Sequence, residues 1–129
     1  MAELLSDGMA QPFALVSIGG PDPVIEALRE GQVLPRDMAV LWVVLQNLNW
    51  RSGRCLLSAR EVGEALGHPP GNDEAGRSLN RLKRAGLVAR GADKRDPSRI
   101  FWCVSPAVAA TGGKHRRQRQ HLQFADALG

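Results

Sequence analysis

The chain has 129 residues, 43% of them apolar, with a formal net charge of +4 and no tyrosine. That length suits one domain with extensions and a modest core rather than a large enzyme with a deep pocket, and the lack of tyrosine excludes tyrosine-based strand cleavage. Charge is sorted along the chain: acids outnumber bases by five before residue 77, and bases outnumber acids by nine from there on, which points to a polyanionic partner.

Residues 1–11 read as a loose lead-in. FALVSI, bounded by Pro12 and Gly19-Gly20, suggests a short strand or packed extended arm, and it is far too short for a signal sequence or a membrane span. Nothing directs export, so the expected location is the cytoplasm, on the nucleoid, with no membrane partner. Asp22 can cap a short helix with Pro23 at its first position, and Val24, Ile25 and Leu28 give that helix an apolar side before Gly31 ends it. This arm, residues 1–32, packs either on its own domain or on a second copy.

Residues 33–106 carry the expected domain. In LPRDMAVLWVVLQNLNW, residues 34–50, Met38, Leu41, Trp42, Leu45 and Leu48 recur at helical spacing, and Val40, Val43 and Val44 widen the apolar arc. This is the expected central helix, with Pro35 in its first turn and Asn47, Asn49 and Arg51-Ser52-Gly53 ending it. Arg54 to Leu57 reads as a short strand. Ser58 and Glu61 have capping-box spacing, and Val62, Ala65 and Leu66 form the inner face of a short helix closed by Gly67.

After the connector HPPGN comes NDEAGRSLNRLKRAG, residues 72–86. Ala75, Leu79, Leu82 and Gly86 make one apolar or small stripe, and the opposite face carries Arg77, Asn80, Arg81 and Arg84. Asn72 is the expected N-cap, Asp73 and Glu74 sit where the helix dipole favours acids, Lys83 and Arg84 where it favours bases, and Gly86 supplies the stop. The two helices form a helix-turn-helix, the second being the recognition helix, with Arg77, Ser78, Asn80, Arg81 and Arg84 in or beside the major groove.

Leu87 to Arg90 and Ile100 to Val104 then read as strands of a hairpin whose loop holds Lys94, Arg95 and Arg99. A basic hairpin after a recognition helix is the wing of a winged helix, and residues 54–57 would complete a small antiparallel sheet. If they pair with the returning strand, Cys55 and Cys103 could be near neighbours, as two small buried side chains or as a redox pair. Residues 107–129 form a basic tail with helical potential carrying Lys114, Arg116, Arg117 and Arg119. The fold class is mostly α with a small antiparallel β-sheet, a winged helix-turn-helix.

No catalytic, metal or cofactor site is expected. His68, His115 and His121 match no metal spacing, two cysteines make no zinc site or disulfide framework, and Gly19-Gly20 lacks the rest of a phosphate-binding loop. Trp42, Trp50 and Trp102 read as core or sheet residues.

Residues from about 34 to 125 resemble the RepL-type plasmid replication proteins. The resemblance rests on LPRDMAVLWVVLQNL, SAREVGEALG, RSLNRLKRAGLVAR and, above all, IFWCVSPAVAATGGKHRRQRQHL, with Ser105-Pro106 and Gly113-Lys114 in the family's turn and linker positions. It implies a winged-helix protein that binds a plasmid or phage origin in replication initiation or copy control, with host replication proteins as partners. HPPGN is about two residues longer than the usual turn, and Asp73 and Glu74 put negative charge at the end that enters the groove, which favours Arg77, Asn80 and Arg81 for base contact. Two alternatives stand beside it: a small transcriptional regulator of the multiple-antibiotic-resistance kind, and a protein-interaction module on the same fold. Double-stranded DNA is the expected partner, and a homodimer is left open.

Overall fold

The computed structural model describes residues 14–16, 22–49, 51–111 and 124–127. Its elements follow in the order β1 (Ala14–Val16), α1 (Pro23–Arg29), α2 (Asp37–Gln46), β2 (Arg54–Cys55), α3 (Ala59–Ala65), α4 (Glu74–Arg84), β3 (Val88–Ala92), β4 (Ile100–Val104) and β5 (Ala109–Thr111). A further helical turn covers residues 124–127. Among the described residues no helix is long and apolar enough to cross a membrane.

Local chemistry sets most of the boundaries. Asp22 caps α1 by accepting from the amides of Val24 and Ile25 at 2.9 and 3.3 Å. Ser58 and Glu61 form a complete capping box on α3: the Glu61 amide donates to Ser58 Oγ at 3.1 Å and the Ser58 amide to Glu61 Oε1 at 2.9 Å. At the end of α4 the Leu87 amide reaches back to the Leu82 carbonyl at 3.0 Å, a reversal that needs the left-handed backbone of Gly86 (φ 77°).

Helix α2 is shorter than the apolar run suggests. It starts at Asp37, beyond Pro35, and ends at Gln46. Its buried side is Asp37, Val40, Leu41, Val43 and Val44, whereas Trp42, expected in the core, is 61% exposed. The buried valines flank Leu41 and turn position 42 outward. Trp102 is a core residue, as expected, and Trp50 lies outside the described residues.

The three-stranded antiparallel sheet has the order β2-β4-β3. One face joins α1 to α4 in the main core, where Leu79, Leu82, Leu87, Val44, Val62 and Val104 are fully or nearly fully buried. Ala89, Phe101 and Cys103 lie in a second cluster with Phe124. A Cβ on Gly91 would clash with the Cζ end of the Phe101 ring, so only glycine lets that ring pack so closely against β3. Strand β1 pairs antiparallel with β5, Ala14 opposite Thr111, which ties the N-terminal arm to its own chain. The main core also takes in Ala27 of α1 and Val108 and Ala109 after the sheet.

The order α2-β2-α3-α4-β3-β4, two helices across a turn followed by a hairpin, is a winged helix-turn-helix. Register also decides the cysteine question. Cys55 lies opposite Trp102, and Cys103 opposite Arg54. Directly paired residues share a face, so the two thiols project from opposite faces of the sheet and do not form a redox pair. Both are free and buried, and burial pushes the Cys103 thiol up to about 11.

The buried stripe of α4 implies a large stability effect. Leu82→Ala is expected to lower the unfolding free energy by about 2–5 kcal/mol, against about 1 kcal/mol for Ser58→Ala at the α3 cap. Urea denaturation of the two variants checks the difference.

Candidate nucleic-acid interface

Helix α4 divides its residues into three classes. Ala75, Leu79 and Leu82 are buried apolar contacts, and Ser78 is buried as well. Arg77, Asn80, Lys83 and Arg84 are exposed. Arg81 lies between, its side chain 22% exposed. The expected face of Arg77, Asn80, Arg81 and Arg84 is therefore corrected at Arg81, and Ser78 does not lie on it.

The cause is Asp37, a fully buried carboxylate at the start of α2. Its Oδ1 accepts from Ser78 Oγ at 2.6 Å and from Arg81 Nη2 at 2.8 Å. Its Oδ2 accepts from Arg81 Nε at 2.9 Å and from the Leu34 amide at 2.7 Å. A buried carboxylate needs such donors, and the arginine fork meets it with two parallel bonds. Burial alone would raise the Asp37 carboxyl, but the hydrogen bonds from Arg81, the Leu34 amide and Ser78 outweigh it and hold the group below its ordinary range.

The network runs on to the surface. Arg81 Nη2 also lies 3.3 Å from Glu74 Oε1, and Arg36 Nε lies 3.3 Å from the same oxygen. Ser78 and Arg81 are thus committed to bonds that fix α4 on α2, with the Ser78 hydroxyl and Arg81 Nε and Nη2 turned inward rather than toward a base edge. Asp37 and Glu74 hold this arrangement, and sequence reasoning missed Asp37 because an acid at a helix start reads as a simple dipole complement. Lys83 is a further exposed base of α4 that the sequence reading used only for the dipole.

On the exposed face, Arg77 pairs with Asp73 (Nη2 to Oδ1, 2.6 Å) and lies 3.6 Å from Glu74. Asn72, expected to cap the helix, accepts from the Glu74 amide at 2.8 Å, although the residue at the cap position is Asp73.

The wing loop keeps Lys94, Arg95 and Arg99 exposed. Asp93 accepts from the amides of Arg95 and Asp96 at 2.7 and 3.3 Å, and Asp96 accepts from the amide and hydroxyl of Ser98 at 3.2 and 2.6 Å. The amides of Arg95 and Asp96, Arg95 contributing most, together with the charges of Arg54 and Arg99 draw the Asp93 carboxyl below its ordinary range. Lys94 Nζ lies 3.7 Å from Asp126, beside a cavity of about 330 Å³ lined by Arg54, Phe101 and Ala127 among others. The tail residues Lys114, Arg116, Arg117 and Arg119 lie outside the described residues.

Asp37→Asn removes the carboxylate that Arg81 meets with two bonds and leaves that half-buried guanidinium to Glu74 alone, so it is expected to destabilise the fold by about 1–3 kcal/mol. The Asp37 carboxyl is depressed in the folded state, so its contribution is present above the unfolded value of about 3.9 and is lost as pH falls through the folded value. The stability gap between wild type and Asp37→Asn should therefore be constant near neutrality and close below about pH 4, which denaturation at several pH values checks.

No protein-family model matches the chain, and no curated protein matches it. The RepL resemblance accordingly gains no support beyond the winged-helix fold. Among solved structures, a MepR mutant from a multidrug-resistant S. aureus clinical isolate matches 98% of this chain over 74% of its own, at 14% identity and a TM-score of 0.44. A second S. aureus MepR mutant matches 98% of this chain over 72% of its own, at 13% identity and a TM-score of 0.46. The S. aureus MepR–DNA complex matches 98% of this chain over 81% of the MepR chain, at 13% identity and a TM-score of 0.43. At these values the likeness says nothing of function, and the fold assignment rests on the order and pairing of the chain's own elements.

Proposed function

We propose that the protein is a sequence-specific double-stranded-DNA-binding protein that acts as a small winged-helix transcriptional regulator. The observation that carries the reading is the exposed face of α4, where Arg77, Asn80, Lys83 and Arg84 stand out from a helix anchored on its other side by Leu79, Leu82 and the Asp37 network. An asparagine between arginines on a rigid helix suits base edges, and the surrounding bases suit phosphates. The wing adds Lys94, Arg95 and Arg99 on a loop held in shape by its own aspartates. The tail bases would add electrostatic affinity.

Regulation by occupancy needs only DNA binding, and it acts where the DNA is, in the cytoplasm. The replication role rested on the RepL resemblance and is not carried forward. The protein is proposed to work by binding rather than by catalysis.

The test is binding to a random-sequence duplex and to DNA flanking the gene, over a range of salt. One segment should be preferred, with log K falling against log salt at a slope of about −5 or steeper, the mark of about six or more phosphate contacts. Asn80→Ala should relax preference at one position, and Arg84→Ala should flatten the slope by about one. Arg81→Ala should weaken binding by displacing the helix and leave the slope unchanged. A palindromic footprint would indicate a dimer. Flat, weak binding untouched by these variants would instead favour a protein-interaction module.

A further inference from the structure

Positions 73, 77, 80 and 84 recur at i, i+4, i+7 and i+11, so Asp73, Arg77, Asn80 and Arg84 share one stripe of the recognition face. We infer that Asp73 is a specificity-determining residue of that face, which orients Arg77 for a guanine edge and withholds it from phosphate. This inference rests on the DNA-binding reading.

An aspartate at a helix start ordinarily accepts from the first amides, yet Asp73 makes no such bond, and Asn72 supplies the acceptor for the Glu74 amide instead. The Asp73 carboxylate turns to Arg77 at 2.6 Å, and both side chains are mostly exposed, 72% and 62%. Glu74 differs: it is half-buried and shared among Arg36, Arg77 and Arg81.

An unpaired arginine on an exposed helix grips any phosphate within reach, and such contacts carry no sequence information. A paired carboxylate changes both parts of that behaviour. It cancels the charge that the backbone senses at a distance, which lowers affinity for every sequence alike. It also occupies part of the guanidinium's five-donor fork and fixes its plane. Asp73 engages Nη2 and Glu74 stands 3.6 Å from Nη1, so the N–H groups left over on Nε and on the outer edges of the two Nη atoms are the ones that meet guanine O6 and N7, a short directional contact that phosphate does not imitate. Asn80 follows three residues on, about 4.5 Å along the helix axis, on the same outward stripe as Arg77. Guanine and adenine are the bases that the two side chains fit.

The experiment begins with selection of a preferred site from a random duplex library by the wild-type protein. Dissociation constants for that site and for a scrambled duplex are then measured over a range of salt for wild type, Asp73→Asn, Arg77→Ala and the double variant, with a thermal melt of each. Asp73→Asn is expected to bind the scrambled duplex more tightly, to steepen the salt slope by about one as Arg77 turns to a phosphate, and to lower the selected-to-scrambled ratio about tenfold, the scale of one bidentate base contact. Reselection with Asp73→Asn should lose the same guanine that Arg77→Ala loses. In the Arg77→Ala background, Asp73→Asn should shift both duplexes by one factor and leave the ratio unchanged. The inference is overturned if Asp73→Asn alone shifts both duplexes equally or shifts neither while the wild type still selects a site. A wild type that selects no site overturns the DNA-binding reading and this inference with it.

Discussion

The bidentate pair between Asp37 and Arg81 is the constraint on which the pose of the recognition helix depends. A buried carboxylate is costly unless its oxygens are met, and here four donors from three residues converge on them. Leu34 lies just before α2, and Ser78 and Arg81 lie on α4, so satisfying one charge fixes the start of one helix against the middle of another. Apolar packing by Leu79 and Leu82 would hold α4 to the core with some freedom to slide or roll. The directed bonds of a fork on a carboxylate reduce that freedom and set which residues of α4 face outward.

Charge on this helix is therefore better read by commitment than by count. Of its four basic residues, Arg81 is committed to the interior and Arg77 is paired with an acid of the preceding turn, while Lys83 and Arg84 are exposed toward the C-terminal end. The acids Asp73 and Glu74 look from composition like a defect in a DNA-binding helix. In the structure each is engaged with guanidinium groups, Glu74 with three of them and Asp73 with Arg77. Net charge describes long-range attraction to a polyanion, whereas the pairings describe what remains for recognition once attraction has acted.

Much of what local chemistry fixes was legible in the sequence. The Asp22 cap, the Ser58–Glu61 box and the stop at Gly86 depend on neighbours a few residues apart, the hairpin from residue 88 to 104 on the turn residues between its strands, and the structure has each of them; the cap of α4 falls at Asp73 rather than Asn72. The inward turn of Arg81 was not legible, because its partner lies 44 residues away and an arginine in a helical stripe carries no mark of which side it will serve. Trp42 misled for a related reason: in a helix where nearly every residue is apolar, spacing does not say which arc is buried. The cysteines required register, since a shift of one residue between β2 and β4 exchanges same-face neighbours for opposite-face ones. A stripe of residues can be read from sequence, but the allocation of its side chains depends on contacts made after the chain has folded.

The wing applies the same logic to a loop. A hairpin tip rich in arginine and lysine would ordinarily lose much conformational freedom on meeting a duplex. Asp93 and Asp96 take up the amides of Arg95, Asp96 and Ser98, and the Asp93 amide closes the loop by donating to the Arg99 carbonyl at 2.9 Å. The backbone is thereby ordered before any partner arrives, and only the outward side chains remain to be placed. Beneath the loop, the Phe101 ring packs on Gly91, and Arg54 stacks over that ring with its guanidinium carbon 4.2 Å from the centroid. The acidic residues of the loop thus shape the backbone that presents its basic ones, just as Asp37 shapes α4. In both elements buried or local carboxylates supply the rigidity, and exposed cations are left to meet the partner.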